Sequence, residues 1–246
     1  MNILVPMAGP EDAFTEASPF GKCLMEIDQK PLIEHVVQNL AAIPPARFIF
    51  VIRKEDVRRF HLDDVLRLLR PEATIIVADA PTAGAACTAL LASASIDNDE
   101  PLIIANGDQI LAADLGAIVQ GFTTRSLDGG LIVFDAVHPR WSYVRVNADG
   151  MVVEAAEKRP ISRHASAGFY YFRRGRDFVS ATKEMIRKND AVNGAFFVCP
   201  VYNQLILQNA QIGIFEIPSE SYHSLGTPRG VDAYQERLTS RNARVT

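Results

Sequence analysis

The feature that most constrains the fold is a regular alternation of short apolar runs with helix-like segments over the first hundred residues. The apolar runs are typical of buried strands and lie at residues 2–9, 47–53, 74–78 and 101–109. Between them, apolar residues at helical spacing predict helices that start at Pro31 and that cover residues 55–69 and 82–95. Strands that alternate with helices predict a parallel sheet with helices on both faces, joined by right-handed crossovers.

The second half of the chain has a different character. Residues 142–146 and 151–155 flank an Asn-Ala-Asp-Gly segment, which favours an antiparallel hairpin. Further strands are predicted at 130–136, 168–172 and 211–217, and helices at 177–188, at 200–209 and after the capping pair Thr227-Pro228. We therefore expect one α/β domain over residues 1–246. It should be a Rossmann-like three-layer sandwich whose mostly parallel sheet carries an antiparallel hairpin layer over its carboxyl edge.

The composition excludes several classes of function. The 246 residues carry a formal net charge of −4, which gives no electrostatic case for nucleic acid or an anionic membrane as partner. No apolar run approaches the length of a membrane span, and the first residues lack the basic segment of a secretion signal. Cys23, Cys87 and Cys199 are far apart and match no zinc pattern or disulfide framework. We expect a cytoplasmic protein.

The segment Asn106-Gly107-Asp108 is the first candidate for a functional site. It falls where the fourth apolar run ends, and ligands of open α/β sheets bind at the carboxyl ends of the strands. A carboxylate at that edge can hold a divalent cation against phosphate oxygens. The alternative is an Asn-Gly turn with Asp108 as a solvated turn residue.

The loop after the first strand is the next candidate. Its start at Gly9 allows the backbone to come close to a ligand, because glycine has no side chain. Lys22 is the only cation of this loop and stands against Glu11, Asp12 and Glu16. Since phosphate-binding loops usually offer glycines, backbone amides and positive charge, this composition argues against tight triphosphate binding unless cations intervene.

Three other short segments each have a functional and a structural interpretation. Thr82 can cap a helix in which Gly84 lets a flat group pack against the backbone, or the segment can simply pack closely on the sheet. Lys158, after Glu157, can bind an anion or be an exposed lysine at a strand end. His223 can contact a ligand or be a packed histidine.

In this order, the segments resemble the nucleotidyltransferase superfamily of the sugar-phosphate type. The residues that carry the resemblance are Met-Ala-Gly at 7–9, Gly21-Lys22-Cys23-Leu24, Lys30-Pro31-Leu32-Ile33, Thr82-Ala83-Gly84-Ala85, Asn106-Gly107-Asp108, Glu157-Lys158, residues 168–172 and Leu225-Gly226-Thr227-Pro228. The resemblance covers nearly the whole chain and is specific as an ordered set. It is nearest to short bacterial members associated with capsule and surface-glycan synthesis, which have segments similar to 141–145, 192–194 and 200–203. Some of these use CTP.

The resemblance implies a fold, a reaction and partners. The fold is a GT-A-like nucleotidyltransferase fold with a nucleotide-binding half at 1–110 and an acceptor-binding half at 111–246. In the implied reaction, a phosphate oxygen of the acceptor attacks the α-phosphorus of CTP or another NTP, and pyrophosphate leaves. Mg²⁺ is the implied cofactor, and the partners are the NTP and a phosphorylated sugar or other small molecule. A homodimer is compatible with the resemblance, which does not fix the oligomeric state.

The resemblance also implies roles for individual residues. Asp108 holds Mg²⁺, Lys22 neutralises the NTP phosphates and Lys158 binds the acceptor phosphate, so these three are the implied catalytic residues. Nucleotide contacts are implied for Ala8, Gly9, Lys22, Thr82, Ala83, Gly84 and Asn106. Acceptor contacts are expected for Tyr143, Glu157, Lys158, Gly168, Asn193 and His223; Tyr143, Asn193 and His223 are chosen only because they follow strand ends, and each also suits a structural role.

The chain departs from the family pattern in three places. The family's Gly-x-Gly-x-Arg loop has Glu11 and Ala13 in place of the second glycine and the arginine, and such a loss would cost about 3 kcal/mol of transition-state stabilisation. The lysine segment is Gly-Lys-Cys rather than Pro-Lys-Pro, and the late aspartate of larger members is Ser224. The sequence therefore predicts an active nucleotidyltransferase. The alternative is a catalytically impaired pseudoenzyme that binds a nucleotide or nucleotide-sugar. A transferase that uses an existing nucleotide-sugar has less support, because the Asp-x-Asp motif is absent after the fourth strand.

Overall fold

A nine-stranded sheet organises the residues that the computed structural model describes, which are 1–9 and 21–242. The strands are β1 (Asn2–Pro6), β2 (Glu26–Ile27), β3 (Lys30–Pro31), β4 (Arg47–Arg53), β5 (Thr74–Ala78), β6 (Leu102–Ala105), β7 (Gln109–Leu111), β8 (Gly129–Asp135), β9 (Ser142–Val146), β10 (Val152–Glu157), β11 (His164–Phe172), β12 (Ile212–Glu216) and β13 (Tyr222–Ser224). The helices are α1 (Leu32–Leu40), α2 (Lys54–Phe60), α3 (Leu62–Leu69), α4 (Ala85–Leu90), α5 (Ser93–Ile96), α6 (Leu115–Thr124), α7 (Gly175–Arg187), α8 (Val201–Ile206) and α9 (Pro228–Asn242). Within these residues, every helix is too short or too polar to cross a membrane.

The centre of the sheet is parallel, as the alternation of strands and helices predicts. The strand order is β10-β9-β11-β6-β1-β4-β5, and β8 joins at β11 and also pairs with β12. Strands β5, β4, β1 and β6 run parallel, whereas β11 runs antiparallel to β6. Two small ribbons, β2–β3 and β7–β13, lie outside this sheet.

Successive residues of the central strands belong to two different cores, because side chains alternate between the two faces of a strand. Ile3 and Val5 of β1 belong to one core together with α1, α3 and α6, and Leu4 belongs to the other together with α4, α7 and α8. The same alternation holds in β4, where Phe50 lies on the first face and Val51 on the second. The expected three-layer sandwich is therefore confirmed.

A bulge in β11 carries the hairpin over the carboxyl edge of the sheet. Phe169–Phe172 pair with β6, whereas Ala165 pairs with Tyr143 of β9. Between these residues, from Ser166 to Tyr170, the register of β11 against β8 shifts. Gly168 lies in the bulge at φ +64°, a conformation that glycine adopts without strain. The predicted hairpin layer, formed by β9 and β10, is confirmed.

Several predicted boundaries were wrong. The single helix predicted at 55–69 is divided into α2 and α3, because His61 adopts the left-handed conformation at φ 51° and ends the first helix. The predicted helix at 82–95 begins at Ala85 and is also divided in two. The ribbon of β7 and β13 was not predicted at all. The predicted cap of the last helix is confirmed, since the Thr227 hydroxyl accepts a hydrogen bond from the Gly230 amide at 3.2 Å.

The segment 200–203 closes one edge of the sheet. The Asn203 side chain accepts a hydrogen bond from the Ala155 amide and donates one to the Ala155 carbonyl, both at 2.8 Å, so it takes the place of a further strand beside β10. The neighbouring Tyr202 hydroxyl lies 2.8 Å from both the Gly130 and the Tyr171 carbonyl oxygens. Residues 200–203, one of the segments that resemble short bacterial family members, thus have a structural role in the hairpin layer.

We predict that Asn203→Ala lowers the free energy of unfolding by about 1–3 kcal/mol, because both backbone groups of Ala155 lose their partner. Urea unfolding followed by circular dichroism measures the change. The control is Gln208→Ala at an exposed position after α8, which should change stability by less than about 0.5 kcal/mol. Equal effects of the two substitutions would contradict the role of Asn203.

Candidate functional site

An ion pair between Lys22 and Asp108 lies at the carboxyl edge of the sheet. The Lys22 Nζ is 2.5 Å from the Asp108 Oδ2. Lys22 opens a short 3₁₀ turn after the first loop, and Asp108 lies in the turn between β6 and β7. Two residues that are 86 positions apart in the sequence are thus in direct contact. Both side chains are about one-third exposed, at 28% and 34%, so the pair is accessible from solvent.

Glycines bring three segments together around Asp108. A Cβ atom on Gly107 would lie 3.0 Å from the Met7 side chain, so the turn after β6 packs on the end of β1. A Cβ atom on Gly226 would lie 2.9 Å from the Asp108 Oδ2, and the Leu225 amide donates to the Asp108 carbonyl at 2.7 Å. The predicted Met-Ala-Gly, Asn-Gly-Asp and Leu-Gly-Thr-Pro segments therefore converge.

The β7–β13 ribbon determines which side chains of residues 222–224 face Asp108. Ser224 pairs with Gln109 in the ribbon. Burial raises the pKa of the Tyr222 phenol, and the nearby Asp108 charge raises it further. Residues 222 and 224 thus lie on the Asp108 side of β13. His223 faces the other way, since side chains alternate along a strand, and its ring packs on Tyr234 of α9 at 5.3 Å between centroids.

His223 therefore has a packing environment. Burial lowers the pKa of its imidazole, and the Arg237 charge adds to the effect. Its Nε2 is buried without a hydrogen-bond partner among the described residues. The expected acceptor contact at His223 has no support from this location, and Ser224 and Tyr222, which sequence reasoning did not assign, lie nearer to Asp108.

The Asp108 carboxylate fits a magnesium ion that is shared with substrate phosphates. Mg²⁺ commonly takes one or two carboxylates from a protein and completes its octahedron with phosphate oxygens and water. Gly226 leaves room beside the carboxylate, which any larger residue would fill. Among residues 1–9 and 21–242, no three His, Cys, Asp or Glu side chains cluster as metal ligands. A single carboxylate suits an ion that arrives with a triphosphate better than a permanently bound one.

The turn that carries Lys22 is supported by α2. A Cβ atom on Gly21 would lie 3.0 Å from the Phe60 ring, and burial raises the pKa of the Cys23 thiol to about 12, with a further contribution from the Asp56 carboxylate. Cys23 thus stays protonated near neutral pH and has a packing role. The altered loop with Glu11 and Ala13 lies outside the described residues.

In the segment 82–86, Gly84 allows close contact with the backbone of Phe196. Gly84 has φ +111°, and a Cβ atom there would clash with the backbone of Phe196, including its amide nitrogen at 2.7 Å. The Phe196 amide donates to the Ala83 carbonyl at 2.7 Å. The first residue of α4 is preceded by Gly84 as the cap, and the Thr82 hydroxyl bonds to Thr88 at 2.6 Å. The predicted Thr82 cap was therefore wrong.

The remaining nucleotide candidates lie around the ends of β1 and β6. Ala8 is buried, whereas Gly9 is exposed, and a Cβ atom there would meet no described atom within 4 Å. Asn106 is exposed, and its side-chain amide lies 3.4 Å from the Gln109 Oε1. Ala83 is exposed as well. Gly9, Ala83 and Asn106 are thus accessible, whereas Ala8 is not.

Glu157 and Lys158 have opposite orientations at the end of β10. Glu157 points inward, is 9% exposed and accepts a hydrogen bond from the Ser142 hydroxyl of β9. Burial raises the pKa of its carboxyl group, which the Ser142 hydrogen bond and the Lys158 charge partly offset. Lys158 is exposed at φ 53°, and its Nζ lies 5.1 Å from the centre of the Phe197 ring. Lys158 is thus the member of the pair that is available to a ligand.

Three other acceptor candidates differ in accessibility. Tyr143 is fully buried and its hydroxyl donates to the His138 carbonyl at 2.7 Å, which favours the structural role over contact with a ligand. Gly168 packs against Asn106 and Gln109, where a Cβ atom would clash with both side chains. Asn193 lies at the exposed tip of a two-residue turn.

A cavity of about 440 Å³ opens at the other edge of the sheet. It is lined by Asp99, Pro101, Thr123, Ser126, Leu127, Tyr171, Arg173 and Arg174. Its two arginines already face carboxylates: Arg174 bonds to Asp177 at 2.8 Å, and Arg173 lies 3.9 Å from Asp128. Because ligands of open α/β sheets bind at the carboxyl ends of the strands, the cavity is a weaker candidate for a phosphate-binding site than the edge that carries Lys22.

Comparison with known proteins identifies similar sequences and folds. The sequence profile of the family described as nucleotidyl transferase matches residues 19–197. A nucleoside-diphosphate-sugar pyrophosphorylase from Vibrio cholerae RC9 is 25% identical, with a TM-score of 0.83 over 95% of this chain and 99% of that one. A comparison with curated protein sequences found no match.

Two more distant solved structures share the fold. The inositol-1-phosphate CTP transferase from T. maritima is 13% identical, with a TM-score of 0.75 over 97% of this chain and 94% of that one. A UDP-glucose pyrophosphorylase complexed with UDP-glucose is 14% identical, with a TM-score of 0.74 over 98% of both chains. The predicted GT-A-like fold is thereby confirmed.

We predict that Gly84→Ala lowers the free energy of unfolding by about 2 kcal/mol or more, because the new methyl group clashes with Phe196 in a backbone conformation that alanine disfavours. Gly150→Ala is the matched control. Gly150 also has a positive φ, of +73°, but a Cβ atom there would meet open space, so only backbone strain of about 1 kcal/mol is expected. Urea unfolding of both variants separates the clash from the strain.

We also predict a pH-dependent effect of Glu157→Gln. Because the folded state raises the pKa of Glu157 above its usual 4.5, the folded protein binds more protons than the unfolded chain, and stability falls as pH rises from 4.5 through the raised pKa. Glutamine does not titrate, so the variant should gain stability over the wild type across that range. Denaturant unfolding at several pH values measures the difference, with Glu216→Gln at an exposed position as control. A difference independent of pH would contradict the prediction.

Proposed function

The chain belongs to the nucleotidyl transferase family, and we propose that it transfers a nucleotidyl group from CTP or another NTP to a phosphorylated sugar or other small molecule, with release of pyrophosphate. The observation that carries this proposal is the Lys22–Asp108 pair at the carboxyl edge of the sheet. It brings a cation and a carboxylate of the kind that can hold Mg²⁺ to the edge where open α/β sheets bind nucleotides. Residues 1–110 would serve as the nucleotide-binding half and residues 111–246 as the acceptor-binding half.

Lys22 and Asp108 would handle the triphosphate. In the proposed complex, Asp108 would hold Mg²⁺, which would supply positive charge that offsets the charge of the triphosphate. The Lys22 ammonium would add its own charge at the NTP phosphates. Since a partly exposed ion pair contributes little to stability, about 0–1 kcal/mol, replacing the Lys22–Asp108 contact would cost little.

The ends of β1 and β6 and the start of α4 would contact the nucleotide. The nucleobase and ribose would contact Ala8 and Gly9 at the end of β1 and the segment of Thr82, Ala83 and Gly84 before α4. Asn106 would reach the nucleotide from the turn after β6. These contacts are mainly to backbone, which suits recognition of a flat base.

Lys158 would bind the acceptor phosphate. An oxygen of that phosphate attacks the α-phosphorus of the NTP, the new P–O bond forms, and the bond to the β-phosphate breaks as pyrophosphate leaves. The protein mainly holds the two anions in line and offsets their charge. Asn193 and Gly168 remain in the proposed acceptor-binding half, and Glu157 would support Lys158 from within.

The names of the similar proteins support a pyrophosphorylase type of reaction. The Vibrio cholerae protein is named for nucleoside-diphosphate-sugars, and the T. maritima protein for CTP and inositol-1-phosphate. Both sugar phosphates and other phosphorylated alcohols are therefore included among the proposed acceptors. The resemblance of the segments 141–145 and 192–194 to those of short bacterial members supports a role in capsule or surface-glycan synthesis.

Pyrophosphate release is the direct test. Purified protein is incubated with Mg²⁺, each of the four NTPs or dTTP, and a panel of phosphorylated sugars, polyols and amino-acid derivatives. Release that requires one particular nucleotide together with one particular phosphate compound would establish the transferase and identify both substrates. Nucleotide-induced thermal stabilisation without any release would instead favour the pseudoenzyme with the Glu11-Asp12-Ala13 loop.

We predict that Asp108→Asn lowers kcat/KM for pyrophosphate release by about a hundredfold or more, because the amide removes the charge that holds Mg²⁺. Nucleotide binding measured by calorimetry should also lose its dependence on Mg²⁺, whether or not turnover is found. The control is Asp149→Asn in the exposed β9–β10 turn, which should behave as wild type. Unchanged Mg²⁺-dependent affinity in Asp108→Asn would remove the metal assignment.

A further inference from the structure

The segment 192–197 touches both proposed substrate subsites. At one end of this contact, the Phe196 backbone bonds to the start of α4: its amide donates to the Ala83 carbonyl at 2.7 Å, and its carbonyl accepts from the Ala86 amide at 3.0 Å. At the other end, the ring of the next residue, Phe197, lies under the Lys158 ammonium. Adjacent residues thus contact the nucleotide segment and the acceptor lysine.

The segment is held in one conformation by its own turn. Val192 and Ala195 exchange backbone hydrogen bonds at 2.9 and 3.1 Å, and Asn193 and Gly194 between them have φ values of 52° and 77°. Asn-Gly with two positive φ values forms the tight two-residue turn that suits a hairpin. After Phe197 the chain is buried at Val198 and Cys199. Phe197 therefore extends from a segment that is fixed on both sides.

Lys158 is oriented by its backbone as well as by the ring. Its amide donates to the Trp141 carbonyl at 3.0 Å, and its φ of 53° turns the side chain away from the course of β10. The Nζ lies 5.1 Å from the Phe197 ring centre, within the range of a cation–π interaction. A ring attracts the ammonium without neutralising it, so the charge and its N–H donors stay available for a phosphate. A carboxylate partner, as at Lys22, would have to be displaced first.

We propose that Phe197 is a positioning residue whose ring holds the Lys158 ammonium at the acceptor-phosphate subsite, and that the segment 192–197 ties this subsite to the nucleotide segment at 83–86. The inference rests on the proposed function, in which Lys158 binds the acceptor phosphate. Phe197 acts through Lys158 and makes no contact with the reacting atoms. Its loss should weaken binding of the acceptor and leave binding of the nucleotide unchanged.

The first test needs no knowledge of the acceptor. The lysines are reductively methylated with ¹³C, and the Lys158 methyl signal is identified by its absence in Lys158→Arg. The aromatic ring should shift this signal upfield, and Phe197→Leu should remove the shift, whereas Phe197→Tyr should keep it. Titration with inorganic phosphate should then move the signal with an apparent Kd about three- to tenfold weaker in Phe197→Leu. An unshifted signal in the wild type, or equal Kd values, would overturn the inference.

The second test uses the substrate pair found by pyrophosphate release. Phe197→Leu should raise the acceptor KM about three- to tenfold and leave the NTP KM within about twofold, and Phe197→Tyr should restore the acceptor KM. In the Lys158→Ala background, Phe197→Leu should have no further effect on the acceptor KM. If Phe197→Leu does not fold, Phe197→Met takes its place.

The outcomes separate this inference from the proposed function. If Lys158→Ala leaves the acceptor KM unchanged, the assignment of Lys158 to the acceptor phosphate fails, and this inference fails with it. If Lys158→Ala raises the acceptor KM but Phe197→Leu does not, only the positioning role of Phe197 fails. A Phe197→Leu effect that persists in the Lys158→Ala background would also reject positioning through Lys158 and indicate a packing role alone.

Discussion

The carboxyl edge of the sheet depends on Gly168, because β11 changes its pairing partner at this residue. It has a φ of +64° and lies where the register of β11 against β8 shifts, between the residues that pair with β6 and Ala165, which pairs with β9. The Gly168 carbonyl accepts the Asn106 amide at 3.0 Å, and a Cβ atom on Gly168 would clash with Asn106 and Gln109. These two residues flank Asp108 in the sequence. One backbone conformation therefore fixes both the turn that carries the acidic residue and the hairpin that carries Lys158.

The charges at this edge fall into an exchangeable group and a fixed group. Lys22 and Asp108 are about one-third exposed, and a pair of that kind gains little from Coulomb attraction in a solvated setting. Glu157 differs, because it is buried and bonded to Ser142, and its desolvation favours the protonated form. In the proposed complex, the Lys22–Asp108 contact is the one that a ligand would replace, whereas Glu157 is part of the hairpin. The two carboxylates of this edge thus differ in burial and in the groups that they contact.

The sequence alone was sufficient to predict features that depend on residues close together in the chain. Apolar runs located β4 and β5 to the residue, and the Thr227-Pro228 pair located the last helix, because burial patterns and helix caps are local. The left-handed conformation of His61 and the inward orientation of Tyr143 depend on tertiary packing, which no local pattern encodes. The resemblance implied separate roles for Lys22 and Asp108, but the direct contact between them was not predicted, since 86 residues separate the two. No sequence pattern identified Phe197, because its contact with Lys158 forms between two segments that are far apart in the sequence.

The glycine of the segment 82–86 illustrates why a motif does not by itself define a role. Gly84 would serve close approach to a nucleobase, yet its missing side chain also makes room for the Phe196 backbone. The same crossing between residues 1–110 and 111–246 recurs where the Leu225 amide bonds to the Asp108 carbonyl. Backbone groups of one part of the chain thus complete hydrogen bonds of the other. Because the start of α4 bonds to Phe196 and the ring of the next residue lies against Lys158, the two proposed subsites are in direct structural contact.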